Sequence, residues 1–183
     1  VDMDHAGQAA VVLTRQGLKR TDPDFFRGIV TNSVLGGGYS SRLNQEIRIK
    51  RGLSYGAGSA LEVRRNVGSF IAVTQTKNES GAEVAELLMT ELGKLASASI
   101  PDTELTPRKA ALVGNYAQQL ETSEGLVEQV ASLALYGLNL DDINSYIRNV
   151  QSVTASEIQK FAGSRLDARA ADEPGLAGLV DAV

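Results

Sequence analysis

The residues with chemistry to offer are concentrated in one stretch, Leu35 to Tyr55, which reads LGGGYSSRLNQEIRIKRGLSY. Its three consecutive glycines, Gly36, Gly37 and Gly38, raise the question of a phosphate-cradling loop, in which successive backbone N–H groups converge on an anion. No Gly-Lys-Ser/Thr ending follows them, and the third-glycine spacing of a dinucleotide loop is missing, so nucleotide binding is set aside. A hinge or a substrate-contacting loop suits them better, because glycine lets one backbone approach another. By type and position alone, Arg48 reads as a cation at a helix end, favoured by the helix dipole, and Tyr55 as a strand aromatic. Lys50 and Arg51 read as solvated cations. Glu46 is free to pair within the stretch or with a partner.

The scarce residue types narrow the chemistry further. The 183-residue chain has one histidine, His5, and no cysteine. A protein zinc site is usually built from several His or Cys ligands together with carboxylates. A catalytic zinc site within this chain is therefore excluded, as are disulfides and thiolate metal sites. A Ser-His-Asp or Cys-His triad would have to use His5, and nothing in VDMDHAG supports one. His5 reads as a surface residue of an N-terminal linker over 1–7. The formal net charge of −4 provides no general attraction to nucleic acid or to an anionic membrane. No apolar run approaches the roughly 20 residues of a membrane-spanning helix. The absence of cysteine is compatible with cytoplasm, periplasm or an organelle matrix.

The elements that must position these residues follow from hydrophobic periodicity. Residues 8–16 carry a continuous apolar centre and are predicted to form a buried strand. Thr21-Asp22-Pro23-Asp24 opens a helix, which carries Phe25, Phe26, Ile29, Val30 and Leu35 up to the glycines. Ser40 or Ser41 can cap a second helix through Leu43, Ile47 and Arg48. Residues 53–62 and 67–76 read as an antiparallel hairpin turning at Arg64-Arg65-Asn66. Residues 78–97 form an amphipathic helix with Val84, Leu87, Leu88, Leu92 and Leu95 on one face. Further helices follow. One carries Leu105, Leu112, Tyr116 and Leu120. The next runs from about Thr122 to Tyr136 through Leu126, Val127, Val130 and Leu133, and ends at Gly137. A short one is capped by Asp141, and another opens on the capping box Thr154-Ala-Ser-Glu157. A final strand is expected within 176–183. A hairpin with segregated helices argues an α+β domain with an antiparallel-rich sheet packed against several helices.

The Gly36–Gly38 loop, the following Ser-Ser-Arg-Leu, the helix with Glu46 and Arg48, and Gly52-Leu53-Ser54-Tyr55 together resemble the C-terminal-type, zinc-free domain of the pitrilysin/insulinase metallopeptidases. The resemblance includes the bacterial homologues of mitochondrial processing peptidase. The resemblance extends over residues 8 to about 165, leaving 166–183 as a tail or final strand. It implies the LuxS/peptidase-like half of a two-domain enzyme. The other half would bear an inverted His-x-x-Glu-His motif, which this chain lacks, and would hold the zinc. The implied partners are thus that zinc-bearing domain or subunit and a peptide, which adds as a strand to a sheet edge of the zinc half. The resemblance further implies that an Arg and a Tyr seven residues apart, here Arg48 and Tyr55, reach the peptide beside the metal. Tyr would donate to the carbonyl oxygen as negative charge grows on it. Arg would hold a neighbouring carbonyl with always-charged donors. A bacterial cytoplasm or periplasm suits such a protein. Some members of the family are non-proteolytic scaffold subunits, in which the two residues would be relics.

Overall fold

Side-chain alternation along the first strand sets the layering. A computed structural model describes residues 7–166; His5 and the strand expected within 176–183 lie outside the described residues. Strands β1 (Gln8–Gln16), β2 (Ala57–Glu62) and β3 (Ser69–Lys77) form an antiparallel sheet in the order β1-β3-β2. The register runs from Gln8 opposite Lys77 to Gln16 opposite Ser69, and from Ala57 opposite Thr74 to Glu62 opposite Ser69. The expected hairpin is therefore present. The burial expected of β1 is not. Val11 and Leu13 pack toward the core, whereas Val12 between them is 57% exposed. Among the described strands it lies at the sheet edge, and successive side chains point to opposite faces, so its apolar run is divided between core and surface.

One face of the sheet is covered by helices. These are α1 (Phe25–Leu35), α2 (Gly81–Ser97), α3 (Asp102–Leu120), α4 (Ser123–Tyr136), α5 (Asp142–Ser152) and α6 (Ala155–Phe161). Short π-helical segments at Asn44–Ile49 and Ala162–Leu166 and a 3-10 turn at Asn78–Ser80 complete the described elements. Helix α1 packs on β2, α3 and α6, and α2 packs on β1 and α6. The core between them holds Val30, Val34 and Leu35 of α1, Phe70 and Ala72 of β3, Val84, Leu88, Leu92 and Leu95 of α2, and Ile158 and Phe161 of α6. Each large side chain of this kind contributes about 1.5–3 kcal/mol on full burial. No helix of the described residues is long and apolar enough to cross a membrane.

Helix ends follow their local chemistry in part. Thr122 Oγ1 accepts the N–H of Gly125 at 3.0 Å, and Gly137 closes α4 with φ +69°. The Thr154/Glu157 capping box is complete. Two expected caps are absent. Ser41 Oγ is buried without a hydrogen-bond partner. The side chain of Asp141 makes no cap bond, and its N–H donates to Asn139 Oδ1 at 3.0 Å. The apolar set on α4 is likewise redistributed. Leu133 is buried, but Leu126, Val127 and Val130 are exposed. Among the described helices α4 packs chiefly on α3 and α5, so it turns one line of residues inward and leaves its other apolar side chains largely at the surface of the described residues.

Candidate functional site

The stretch from Gly36 to Tyr55 runs from the end of α1 to the start of β2, and most of it is anchored from below. Gly36 is buried, and its carbonyl accepts the N–H of Ser59 at 3.2 Å. A Cβ on Gly36 would come within 2.2 Å of that same nitrogen, so glycine is required by the close approach of α1 to β2. Gly37 and Gly38 face solvent. Arg42 then forms a two-point ion pair with Glu104 of α3, Nε to Oε1 at 2.7 Å and Nη2 to Oε2 at 2.8 Å. Fork-to-carboxylate pairing fixes orientation as well as distance.

The π-helical segment Asn44–Ile49 is a rare conformation that recurs at functional sites. Leu43 and Ile47, four residues apart, are fully buried, which turns the adjoining Arg48 outward. Glu46 pairs with Lys50 and, at 2.5 Å, with Arg51. Hydrogen bonds from Lys50 and then Arg51 hold the Glu46 carboxyl below its ordinary pKa. The two competing cations are thus occupied. Arg48 forms no ion pair among the described residues, and its guanidinium lies 5.0 Å from the ring centroid of Tyr39. That spacing is a cation–π contact. Tyr39 is itself 66% exposed.

Gly52, at φ +63°, reverses the chain after the π-helical segment. Its N–H donates to Arg48 O at 3.0 Å, and that of Leu53 donates to Ile47 O at 2.9 Å. The strand expected from residue 53 begins only at Ala57. Tyr55 therefore lies in a loop, and it is 93% exposed, its side chain without a hydrogen bond among the described residues. Its neighbours are pinned. Thr76 Oγ1 donates to Leu53 O at 2.6 Å. Thr74 Oγ1 lies 2.7 Å from Ser54 Oγ and 2.8 Å from Gly56 O. Ser54 Oγ also accepts the N–H of Gly56 at 3.0 Å. Buried Asn44 donates from Nδ2 to Tyr39 O at 2.5 Å and accepts the N–H of Ala57 on Oδ1 at 3.3 Å.

Arg48 and Tyr55 make no hydrogen bond to each other; the supports just described, through Tyr39, Asn44 and Ala57, connect them. Sequence reasoning passed over Tyr39, Asn44, Thr74 and Thr76. A signal for the threonines was available: β3 alternates Phe70, Ala72, Thr74, Thr76 on one face, and two hydroxyls there are out of keeping with an apolar core. Chemically the site offers exposed hydrogen-bond donors and one uncommitted positive charge, suited to carbonyl oxygens. It offers no metal cage. Among the described residues no three His, Cys, Asp or Glu side chains cluster closely enough to hold an ion, and the whole chain has a single histidine and no cysteine. The residues present do not fit a catalytic zinc.

Comparison with known proteins agrees with this architecture. The chain is 30% identical over 162 residues to an uncharacterized zinc protease of Streptomyces coelicolor, covering 88% of this chain and 35% of that one. It is 26% identical over 148 residues to a protein of Helicobacter pylori named a non-peptidase homolog, covering 79% and 33% of the two chains. The chain spans about a third of the length of the curated relatives it matches. In three dimensions it is similar to the peptidase M16 inactive domain from Pseudomonas fluorescens. The TM-score is 0.81 at 27% identity, over 88% of this chain and 39% of that one. Residues 1–112 match the family described as the peptidase M16 inactive domain, and with the α+β fold and the missing zinc ligands this leads to one assignment: the chain belongs to the peptidase M16 family, as a domain of its inactive type.

Proposed function

We propose that this chain is the zinc-free half of a two-part zinc endopeptidase, in which it binds peptide and helps to stabilise the transition state. The observation that carries the reading is the state of Arg48 and Tyr55. Both are exposed, and among the described residues Arg48 forms no ion pair and the Tyr55 side chain no hydrogen bond, on a backbone whose neighbouring groups are hydrogen-bonded. The metal chemistry belongs to a partner domain bearing His-x-x-Glu-His, on the same chain or another. Tyr55 then donates its O–H to the scissile carbonyl oxygen as charge develops there. Arg48 donates N–H groups to a neighbouring peptide carbonyl, and the Tyr39 ring beneath it keeps the guanidinium in place. Gly38, open to solvent, lets peptide backbone approach closely, whereas a Cβ on Gly37 would meet the backbone of Ser33.

A second reading is a non-proteolytic subunit of the same family, favoured by the likeness to the Helicobacter pylori non-peptidase homolog. One experiment separates the two. This chain is co-expressed with the zinc-bearing half of its family, and the purified pair is assayed for stoichiometric zinc and for cleavage of unfolded peptides. Cleavage by the pair, with neither zinc nor cleavage from this chain alone, supports the peptidase reading. A zinc-loaded pair that cleaves nothing supports the scaffold reading. Unchanged cleavage rates in both Arg48→Ala and Tyr55→Phe would remove those residues from the site.

A further inference from the structure

We propose that Thr74 and Thr76 of β3 are positioning residues that present Tyr55 to the substrate; the proposal rests on the peptidase reading above. The ladder between β2 and β3 ends at Ala57 opposite Thr74. The loop before it, residues 52–56, receives no ladder bonds from β3. Its first residues bond back to Arg48 O and Ile47 O, and Ser54 Oγ bonds to Gly56 within the loop; two hydroxyls tie it to β3. Thr76 holds Leu53 through its carbonyl, and Thr74 holds Ser54 and Gly56, the two residues flanking Tyr55. Asn44 fixes the next N–H, that of Ala57.

These hydroxyls stand where packing alone would not put them. Thr74 and Thr76 are only 3% and 4% exposed, on the same face of β3 as the core residues Phe70 and Ala72. Valine has nearly the same shape and an equal preference for strands, and burying a hydroxyl costs free energy unless it is hydrogen-bonded. What threonine adds over valine at these positions is the bonds to residues 53, 54 and 56. Those bonds support a residue whose own side chain makes no hydrogen bond among the described residues. A phenol presented this way keeps only its two side-chain torsions, so little freedom is lost when it meets a carbonyl oxygen. Displacing a reacting group by about 1 Å can cost about 100-fold in rate.

The test uses the assembled two-part enzyme. Thr74→Val is expected to lower kcat about 10- to 100-fold, with KM and Tm nearly unchanged, while Thr74→Ser retains most of the rate. Thr76→Val is expected to act in the same direction. Hydrogen exchange at the amides of Gly56 and Ala57 should quicken in Thr74→Val and not in Thr74→Ser. In the Tyr55→Phe background, Thr74→Val should cause no further loss, because the positioned hydroxyl is already gone. Multiplicative losses in that background would overturn the proposal. So would a normal kcat for Thr74→Val in an enzyme that Tyr55→Phe impairs, and the peptidase reading would then still stand. If Tyr55→Phe itself leaves kcat unchanged, the role of Tyr55 falls and the proposal falls with it.

Discussion

Two regions of the molecule combine an arginine with aromatic rings, and they use them in opposite ways. At the junction of α1, α3, α4 and α5, around a cavity of about 460 Å³, Arg20 sits 3.8 Å over the ring of Phe25. Phe25 meets Phe26 edge-on at 5.1 Å, Phe26 meets Tyr146 at 5.6 Å, and Tyr146 stacks on Tyr116 at 3.9 Å. The hydroxyls of Tyr116 and Tyr136 donate to Ile143 O and Val63 O. Burial pulls the Arg20 pKa down and pushes those of Tyr146 and Tyr116 up. In the other region, Arg48, Tyr39 and Tyr55 are exposed, and the hydrogen bonds go to the backbone beneath them. Identical residue types therefore serve packing where rings and polar tips find partners inside the chain. On the proposed reading they serve recognition where the backbone is held and the polar tips face solvent.

The contrast is open to direct attack. Its largest expected consequence is a crossed result between two tyrosines. Tyr55→Phe in the assembled enzyme should lower kcat about 100- to 1,000-fold, the usual cost of one lost oxyanion donor, with Tm unaltered. Tyr146→Ala should cost about 2–3 kcal/mol of stability in denaturant titrations and leave the activity per folded molecule intact. A stability loss in Tyr55→Phe, or a catalytic loss in Tyr146→Ala, would erase the distinction. Next in size, Arg48→Ala should lower kcat/KM about 10- to 100-fold through a charge-assisted hydrogen bond worth about 1.5–3 kcal/mol. Arg48→Lys should recover only part of it, because an ammonium lacks the planar fork.

The smallest effect sharpens the packing side. The carboxyl of Glu157, in the α6 capping box, accepts hydrogen bonds from the Thr154 backbone and from Arg27 of α1. The Thr154 N–H first and Arg27 second push its pKa down from 4.5 to about 2. A carboxyl whose pKa is depressed by folding stabilises the folded state fully above about 4.5, and that contribution is lost as pH falls toward 2. Glu157→Gln keeps a capping-box side chain but loses the ion pair. Its stability deficit should be small, under about 1 kcal/mol for so exposed a pair. The deficit should be present at pH 7 and shrink through the pH window from 4.5 to about 2, as read by thermal melts. A deficit independent of pH would show that the charge is not what stabilises this contact.

Much of the architecture was legible because it rests on short-range chemistry. The capping box at Thr154, the left-handed Gly137 and the apolar face of α2 all depend on residues within a turn or two of each other. The errors share a cause. The apolar run of β1 and the apolar residues of α4 are both present, but which of them are buried depends on which neighbours the chain supplies. Extending the second strand back to Leu53 placed Tyr55 in a sheet, whereas the buried hydroxyls of Thr74 and Thr76, 18 to 23 residues away from their loop partners, hold that segment as a loop. Ser41 had the residue type for a cap and lies buried with its hydroxyl unpartnered.

What the sequence determined by itself is the absence of a zinc site, because composition is a count that no folding can alter: one histidine and no cysteine fall short of the ligands that a catalytic zinc requires. It also determined the local helix signals and the stretch in which the candidate site lies. Tertiary structure alone decided that Lys50 and Arg51 are committed to Glu46 while Arg48 is not, and that Tyr55 stands in solvent on a loop held from the core side. Exposure and pairing are properties of contacts between distant segments, and those contacts exist only once the sheet and helices have closed on one another.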